Sequence, residues 1–422
     1  MATPPLPLSS VPGGDSIAVI GSGAAGLMAA LTASDTAPVT LFTDLALGKS
    51  NSAMAQGGLQ CPDDSPDAVQ RFRADIEHSA RLPLDPELVT RFASEARETI
   101  LFLDSLGLDF DRDDCGHWLR KSAGGLSEPR LVTVGDRIGT HLMRILIAAV
   151  RQRPVRICER TRLTDIRPFY GGYDCTFQSS DHIVTRQFYK TLIIATGGRT
   201  FNQACILNQP TTNPANQNAA LHHTLRRLGL EEVHSDLFQY QPFGIVVDAD
   251  IQPGKAFPES ILNFPVRIVD RNGHVLRHSN EKPDRLTLCE RFFEAGRDGR
   301  ACTTPSGKQG FRLCLEDLPD ALLNTHFPSA MAFLRKHHPD GSPVLVRPFL
   351  HYQLGGFRIG LDCQTSLPGL FLAGEITGGL HGRNRLMGNG LTDSLVHGRR
   401  AGREAARHFL SSQPSTTSLL PT

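Results

Sequence analysis

The sequence predicts an α/β fold in two parts, a parallel-sheet domain and an α+β domain inserted into it. Three observations predict this. The chain opens with a short apolar run that breaks into a glycine-rich turn and continues as an Ala/Leu-rich stretch. Two further apolar runs, much later, end in similar turns. Between those two the texture changes to mixed, proline-punctuated signals.

The opening run, Ile17 to Ile20, is wholly apolar, as strands buried on both faces are. Gly21, Gly23 and Gly26 follow in Gly-x-Gly-x-x-Gly spacing around Ala24 and Ala25, and the helix they open is predicted to reach about Ser34. Gly21 suits a tight turn, Gly23 the close approach of a pyrophosphate, and Gly26 close packing of helix on strand, with the helix N-terminus facing the phosphates. Pro38 then introduces a strand from Val39 to Thr43, which closes a βαβ unit. Asp44, just beyond it, is either the acid expected on the ribose or a solvated turn residue.

Asp85-Pro86-Glu87 reads as a capped helix start and Gly107 as its stop, with Leu88, Phe92, Ile100 and Leu103 as the packed face. Thr191 to Gly198 and Gly369 to Glu375 read as two more buried strands. They would deliver Ala195, Thr196, Gly197 and Gly198, and Gly374 and Glu375, to a ligand. The predicted organisation is a flexible leader over 1–16, the dinucleotide domain over 17–235 and 347–410, the capping domain over 236–346, and a disordered tail over 411–422.

Lys and Arg total 44 against 43 Asp and Glu, so the charge balance asks for neither nucleic acid nor an anionic membrane as partner. The nine cysteines are scattered and never form Cys-x-x-Cys, which argues against zinc or an iron–sulfur centre and for reduced thiols in a cytoplasmic protein. A redox reaction here would need a separate molecule as electron donor or acceptor. The leader lacks the basic and apolar regions of a signal peptide, and no apolar run approaches the roughly 18 residues that membrane insertion needs.

The segment Lys49-Ser50-Asn51-Ser52-Ala53-Met54-Ala55-Gln56-Gly57-Gly58 resembles the Ser-x-x-x-x-Ala-Gln-Gly-Gly stretch of the fumarate reductase, succinate dehydrogenase and L-aspartate oxidase flavoproteins. His351-Tyr352-Gln353-Leu354-Gly355-Gly356, then Ala373-Gly374-Glu375, then Gly378 through Leu391 resemble the same family's C-terminal signature, in the same order. The resemblance runs from Ile17 to about Ala406. It implies a Rossmann-type FAD-binding domain with an inserted capping domain, and a small carboxylate as substrate. Asn51 stands where membrane-bound members carry a flavin-bonded His, so the FAD is expected to be noncovalent.

Further residue roles follow from the resemblance. His351 and Arg385 would clamp one substrate carboxylate, as an imidazole and a guanidinium suit. Gly356 and Glu259 would border the substrate. The helix opening at Asn389-Gly390-Leu391 would point its N-terminus at the flavin carbonyls and stabilise negative charge there. An Arg before an apolar pair serves the family as proton donor; Arg291, ahead of Phe292-Phe293, matches best, and Arg285 is the alternative.

The match breaks at the other end of the pocket. The family's Gln-Phe-His-Pro-Thr and Thr-Glu are here Gln239-Tyr240-Gln241-Pro242-Phe243 and Pro258-Glu259, so Gln241 and Pro258 replace the His and Thr expected on a second carboxylate. Gln241 carries no charge, which predicts poor use of fumarate unless Arg383, close to the clamp, swings inward. Fumarate/succinate chemistry is the expected function, L-aspartate oxidation to iminoaspartate the alternative, and a structural FAD-binding role with a degenerate substrate site the alternative of another class.

Overall fold

The computed structural model describes residues 14–215, 219–338 and 341–412, so the predicted leader up to residue 13 and the tail from residue 413 lie outside the described residues. β1 (Ile17–Ile20), α1 (Ala24–Ala33) and β2 (Val39–Phe42) form the βαβ unit the opening motif predicts. β3 (Val155–Cys158) and β4 (Leu192–Ile194) pair in parallel with β2 and β1 respectively. The predicted helix is α2 (Pro86–Ser105): Asp85 caps it by accepting from the Glu87 and Leu88 N–H groups, and Gly107 ends it at φ 90°. α3 (Ile138–Arg151) follows, with Leu142 and Leu146 in the core.

The capping domain is a mixed layer on its own core, which gathers Phe243, Phe257, Ile268, Phe292, Phe311 and Val346. Its sheet is built on β5 (Phe238–Val246), β6 (Gln309–Leu313) and β7 (Leu345–Gln353), and α4 (Arg285–Arg297) packs on it. β7 pairs antiparallel with β5 as far as Gln353. A boundary at residue 346 therefore cuts a continuous strand: the ladder keeps the chain in the cap seven residues longer than the change in sequence texture indicates.

The chain then returns as β8 (Leu370–Leu372), completing a parallel sheet of order β8-β4-β1-β2-β3. α5 (Asn389–Ser411) lies on α1 at backbone contact distance. A Cβ at Gly398 would stand 2.5 Å from the Ala25 carbonyl oxygen, and one at Gly402 2.5 Å from that of Ala29, so only glycine permits this approach. A three-stranded antiparallel sheet over Thr161–Phe169, Gly172–Ser179 and Val184–Tyr189, which the motifs do not predict, covers one side of the parallel sheet through Phe177 and Tyr189 on Phe42.

Candidate active site

The site begins at the Gly21 turn. Gly21 sits at φ 110°, and a Cβ there would meet the Ala195 carbonyl oxygen at 2.3 Å, so β1 and β4 deliver their C-terminal ends side by side only because this residue has no side chain. Gly26 lets α1 close on the strand: its Cβ would lie 1.8 Å from the Gly21 oxygen. The cavity above these ends is lined by Gly21, Gly23, Ala24 and Ala25 on one side and by Ala195, Thr196, Gly197 and Gly374 on the other. Lys49 and Ser50 close it from the following loop. Asp44 borders it with its carboxylate 2.7 Å from Arg162, a basic partner that no sequence motif marked. Gly198 lies outside the lining, where its missing side chain makes room for Glu375: a Cβ would stand 2.6 Å from that carboxylate. Glu375 accepts from the Gln353 N–H at 2.9 Å, and burial raises its pKa.

A second cavity opens between the dinucleotide domain and the cap. Asn51, Ser52, Glu375 and Ser394 line both cavities, which makes them one continuous channel. Gln56, Gly57 and Gly58 form part of its wall, and so do Gly390 and Leu391 in the first turn of α5, so a helix N-terminus faces this cavity as another, that of α1, faces the first. Asn389 itself is buried behind this turn, its side-chain oxygen without a hydrogen-bond partner, as is the Thr196 hydroxyl beside the first cavity. An elongated cavity with a helix N-terminus at each end and unspent polar atoms along it fits FAD.

Three side chains from three elements converge on the second cavity. Arg385, before α5, is buried with its guanidinium 4.2 Å over the Tyr352 ring; among the described residues its Nε has no partner and Nη1 only a 3.4 Å contact to the Leu386 carbonyl. Burial and the nearby Arg285 pull its pKa down to about 10, so it remains charged at neutral pH. His351, on β7, holds Nδ1 2.7 Å from the Thr212 hydroxyl, and burial together with Arg285 and Arg385 pushes its pKa well below the ordinary imidazole value. Arg285, the first residue of α4, donates to Glu259 at 2.6 and 2.9 Å and to Gln239 at 2.7 Å.

Arg291 is not at the site. Its guanidinium donates to Glu281 at 2.8 Å and to the Leu276 carbonyl at 2.9 Å, outside the cleft lining. Six residues along a helix turn by about 240° beyond one revolution, so when Arg285 faces the cleft Arg291 faces elsewhere. The Phe pair that follows Arg291 splits, Phe292 into the cap core and Phe293 to solvent. Gly356 also lies outside the lining; it packs backbone to backbone, and a Cβ there would meet the Ile376 oxygen at 2.4 Å. Arg383 is exposed and does not line the cleft. Gln241, Pro258 and Glu259 do line it, but the Gln241 amide is engaged inside the cap, accepting from the Phe243 N–H and donating to the Phe257 carbonyl. Thr212 lines the cleft as well, and so does Lys255, which no sequence motif marked.

A parallel sheet that presents two strand ends to one cavity, with a cap carrying convergent cations over the next, defines a dinucleotide-binding protein with a second cleft between its two domains. The chain belongs to the FAD_binding_2 family, described as an FAD binding domain and matched over residues 16–391, and its cofactor is FAD. Its relatives include L-aspartate oxidase 2-a from Nicotiana tabacum, 29% identical over 93% of this chain and 62% of that protein. L-aspartate oxidase from Xylella fastidiosa is 30% identical over 92% and 75%, and a fumarate reductase (CoM/CoB) polypeptide from Methanothermobacter marburgensis is 27% identical over 94% and 73%. The chain thus spans about three-fifths of the tobacco relative's length. The E. coli quinol fumarate reductase FrdA shares the fold with a TM-score of 0.85 at 22% identity, over 96% of this chain and 72% of that one. No helix among the described residues is long and apolar enough to cross a membrane.

Proposed function

We propose that this protein moves hydride between FAD and a carbon adjacent to a carboxylate, in fumarate reductase or succinate dehydrogenase fashion. The observation that carries the proposal is Arg385: a buried guanidinium with an unpartnered Nε, and no acidic side chain within ion-pair distance among the described residues, calls for an anionic ligand. His351, neutral at working pH and oriented by Thr212 at Nδ1, offers its other ring nitrogen to the same carboxylate. When bound, FAD supplies the hydride acceptor or donor.

Arg285 takes the role that sequence reasoning gave first to Arg291. It delivers a proton to the carbon next to the one receiving hydride, or removes it in the reverse direction, and Glu259 takes up a proton from solvent and passes it to the guanidine through their 2.6 Å contact, with the transfers reversed in the other direction. Closure of the cap over the cleft keeps water from the reacting carbons. The electron donor or acceptor is a separate molecule. The free state of all nine cysteines supports a reducing compartment, the cytoplasm.

L-aspartate oxidation is the second reading, favoured by the aspartate oxidases among the relatives. The resemblance to the aspartate oxidases implies an acid for the substrate amine between Lys121 and Arg130, and the acidic residue there, Glu128, is turned to Arg71 and Arg130, away from the cleft. Anaerobic reduction of the flavin followed by additions of fumarate, other enoates and iminoaspartate precursors tests both. Reoxidation by an enoate carboxylate supports the proposal, reoxidation by iminoaspartate alone supports the second reading, and no reoxidation leaves the structural FAD-binding role.

A further inference from the structure

The cleft extends beyond the Arg385 end. Its outer part is lined by Lys255 and Ser329 from the cap and by Asp136, Arg137 and Thr140 opposite. Asp136 is already engaged: one carboxylate oxygen accepts from the Ser329 N–H at 3.1 Å and the other lies 3.8 Å from Arg137. The Lys255 ammonium makes no hydrogen bond or ion pair with any described residue, although the side chain is half-buried. Burial lowers its pKa, opposed by Asp136.

The charges balance differently at the two ends. At the inner end Glu259 pairs with Arg285 and Arg385 has no ion-pair partner among the described residues; at the outer end the single carboxylate of Asp136 faces both Arg137 and Lys255. Each pole carries one unmatched cation. Ala256 and Pro258 lie between them along the cap wall, and Gln241 beside them has its amide engaged inside the cap. The backbone from Lys255 to Glu259 spans at most about 14 Å. The position the family uses for a second carboxylate is therefore uncharged here, while a cation is available farther out.

We propose that Lys255 forms a second anion subsite, and that the substrate is a dianion whose distal acidic group lies beyond reach of Arg385, separated from the reacting carboxylate by an apolar spacer. This rests on the carboxylate clamp at Arg385 and His351. A dianion bridging the poles gains a charged hydrogen bond that a mono-anion of equal length lacks.

The test uses holoenzyme and the saturated probes adipate and hexanoate, which match in length and differ by one carboxylate, with binding followed by the change each causes in the flavin absorption spectrum. Wild type is expected to bind adipate about tenfold more tightly than hexanoate. Lys255→Met should erase that difference without weakening hexanoate, Lys255→Arg should retain it, and the FAD dissociation constant should be the same in all three. An unchanged adipate-to-hexanoate ratio in Lys255→Met overturns the subsite while leaving the clamp intact. Loss of FAD affinity in that variant overturns it by assigning the ammonium to the cofactor. Arg385→Gln separates the two levels: it should weaken both probes, and if it weakens neither, the clamp reading fails and the subsite with it.

Discussion

Arg285 and Glu259 meet at 2.6 Å on the cap side of the cleft, both nearly buried, one from the first turn of α4 and the other from a short 3-10 turn (Glu259–Asn263). A buried pair of this kind moves a proton along a fixed line only while both partners hold position. Arg285→Lys keeps the charge but loses the planar fork, and kcat should fall about 100- to 10,000-fold with FAD still bound. Arg291→Ala breaks only the pair with Glu281 and should stay within about threefold of wild type. Steady-state turnover of the two variants decides the assignment; an inactive Arg291→Ala with intact FAD and folding would return the role to Arg291.

FAD should be bound without a covalent link. Asn51 lines the channel and bonds through its amide to Asn213, and an amide offers no nucleophile to the flavin. Acid precipitation should leave all the yellow colour in solution, and flavin fluorescence that stays with the denatured chain would refute this.

Gln241→His combined with Pro258→Thr restores two donors to the near side of the cleft. The KM for fumarate should drop about tenfold, with kcat less affected, because the new bonds act on bound substrate and transition state alike. A fumarate KM that is already low in wild type and unmoved by the pair would show that the second carboxylate is held elsewhere.

His222 is buried with Nε2 3.2 Å from the Gly197 carbonyl, and burial lowers its pKa from 6.5 to about 4. The unfolded chain binds this proton near pH 6.5 and the folded chain does not. The stabilisation is therefore complete above pH 6.5 and is lost as pH falls through about 4, amounting to about 3 kcal/mol for this one group. His222→Gln cannot titrate. Denaturant unfolding of wild type and variant between pH 7 and pH 4 should show a shallower loss of stability in the variant, and parallel curves would contradict the assignment.

What could be read from sequence was what depends on short spacing. Gly21 and Gly26 act on residues a few positions away or on a strand whose apolar run is plain, and the helix capped by Asp85 carries its own start signal. The choice between Arg285 and Arg291 depended instead on helical phase, which is set by where Asp284 caps α4. The motif-matching cue, two adjacent phenylalanines, carries no phase. Lys255 has no local signature, because its importance comes from facing residues distant in sequence. The sheet over residues 161–189 does leave a signal, alternating Tyr173, Cys175 and Phe177 after the Gly171-Gly172 turn, but its strands touch no recognised motif that would have pointed to them.

The glycine contact between α1 and α5 also sets a ruler. Gly398 rests on Ala25 and Gly402 on Ala29, so the two helices run in step, while α5 begins eight residues further back from that contact than α1 does. At 1.5 Å per residue its N-terminus projects about 12 Å past that of α1. The two positive ends are thereby staggered by a fixed length, one at the phosphate cavity and one at the catalytic cleft. A ligand that satisfies both must carry its phosphates and its electron-accepting ring that far apart, so the pair of glycines, remote from any chemistry, gauges the length of the cofactor.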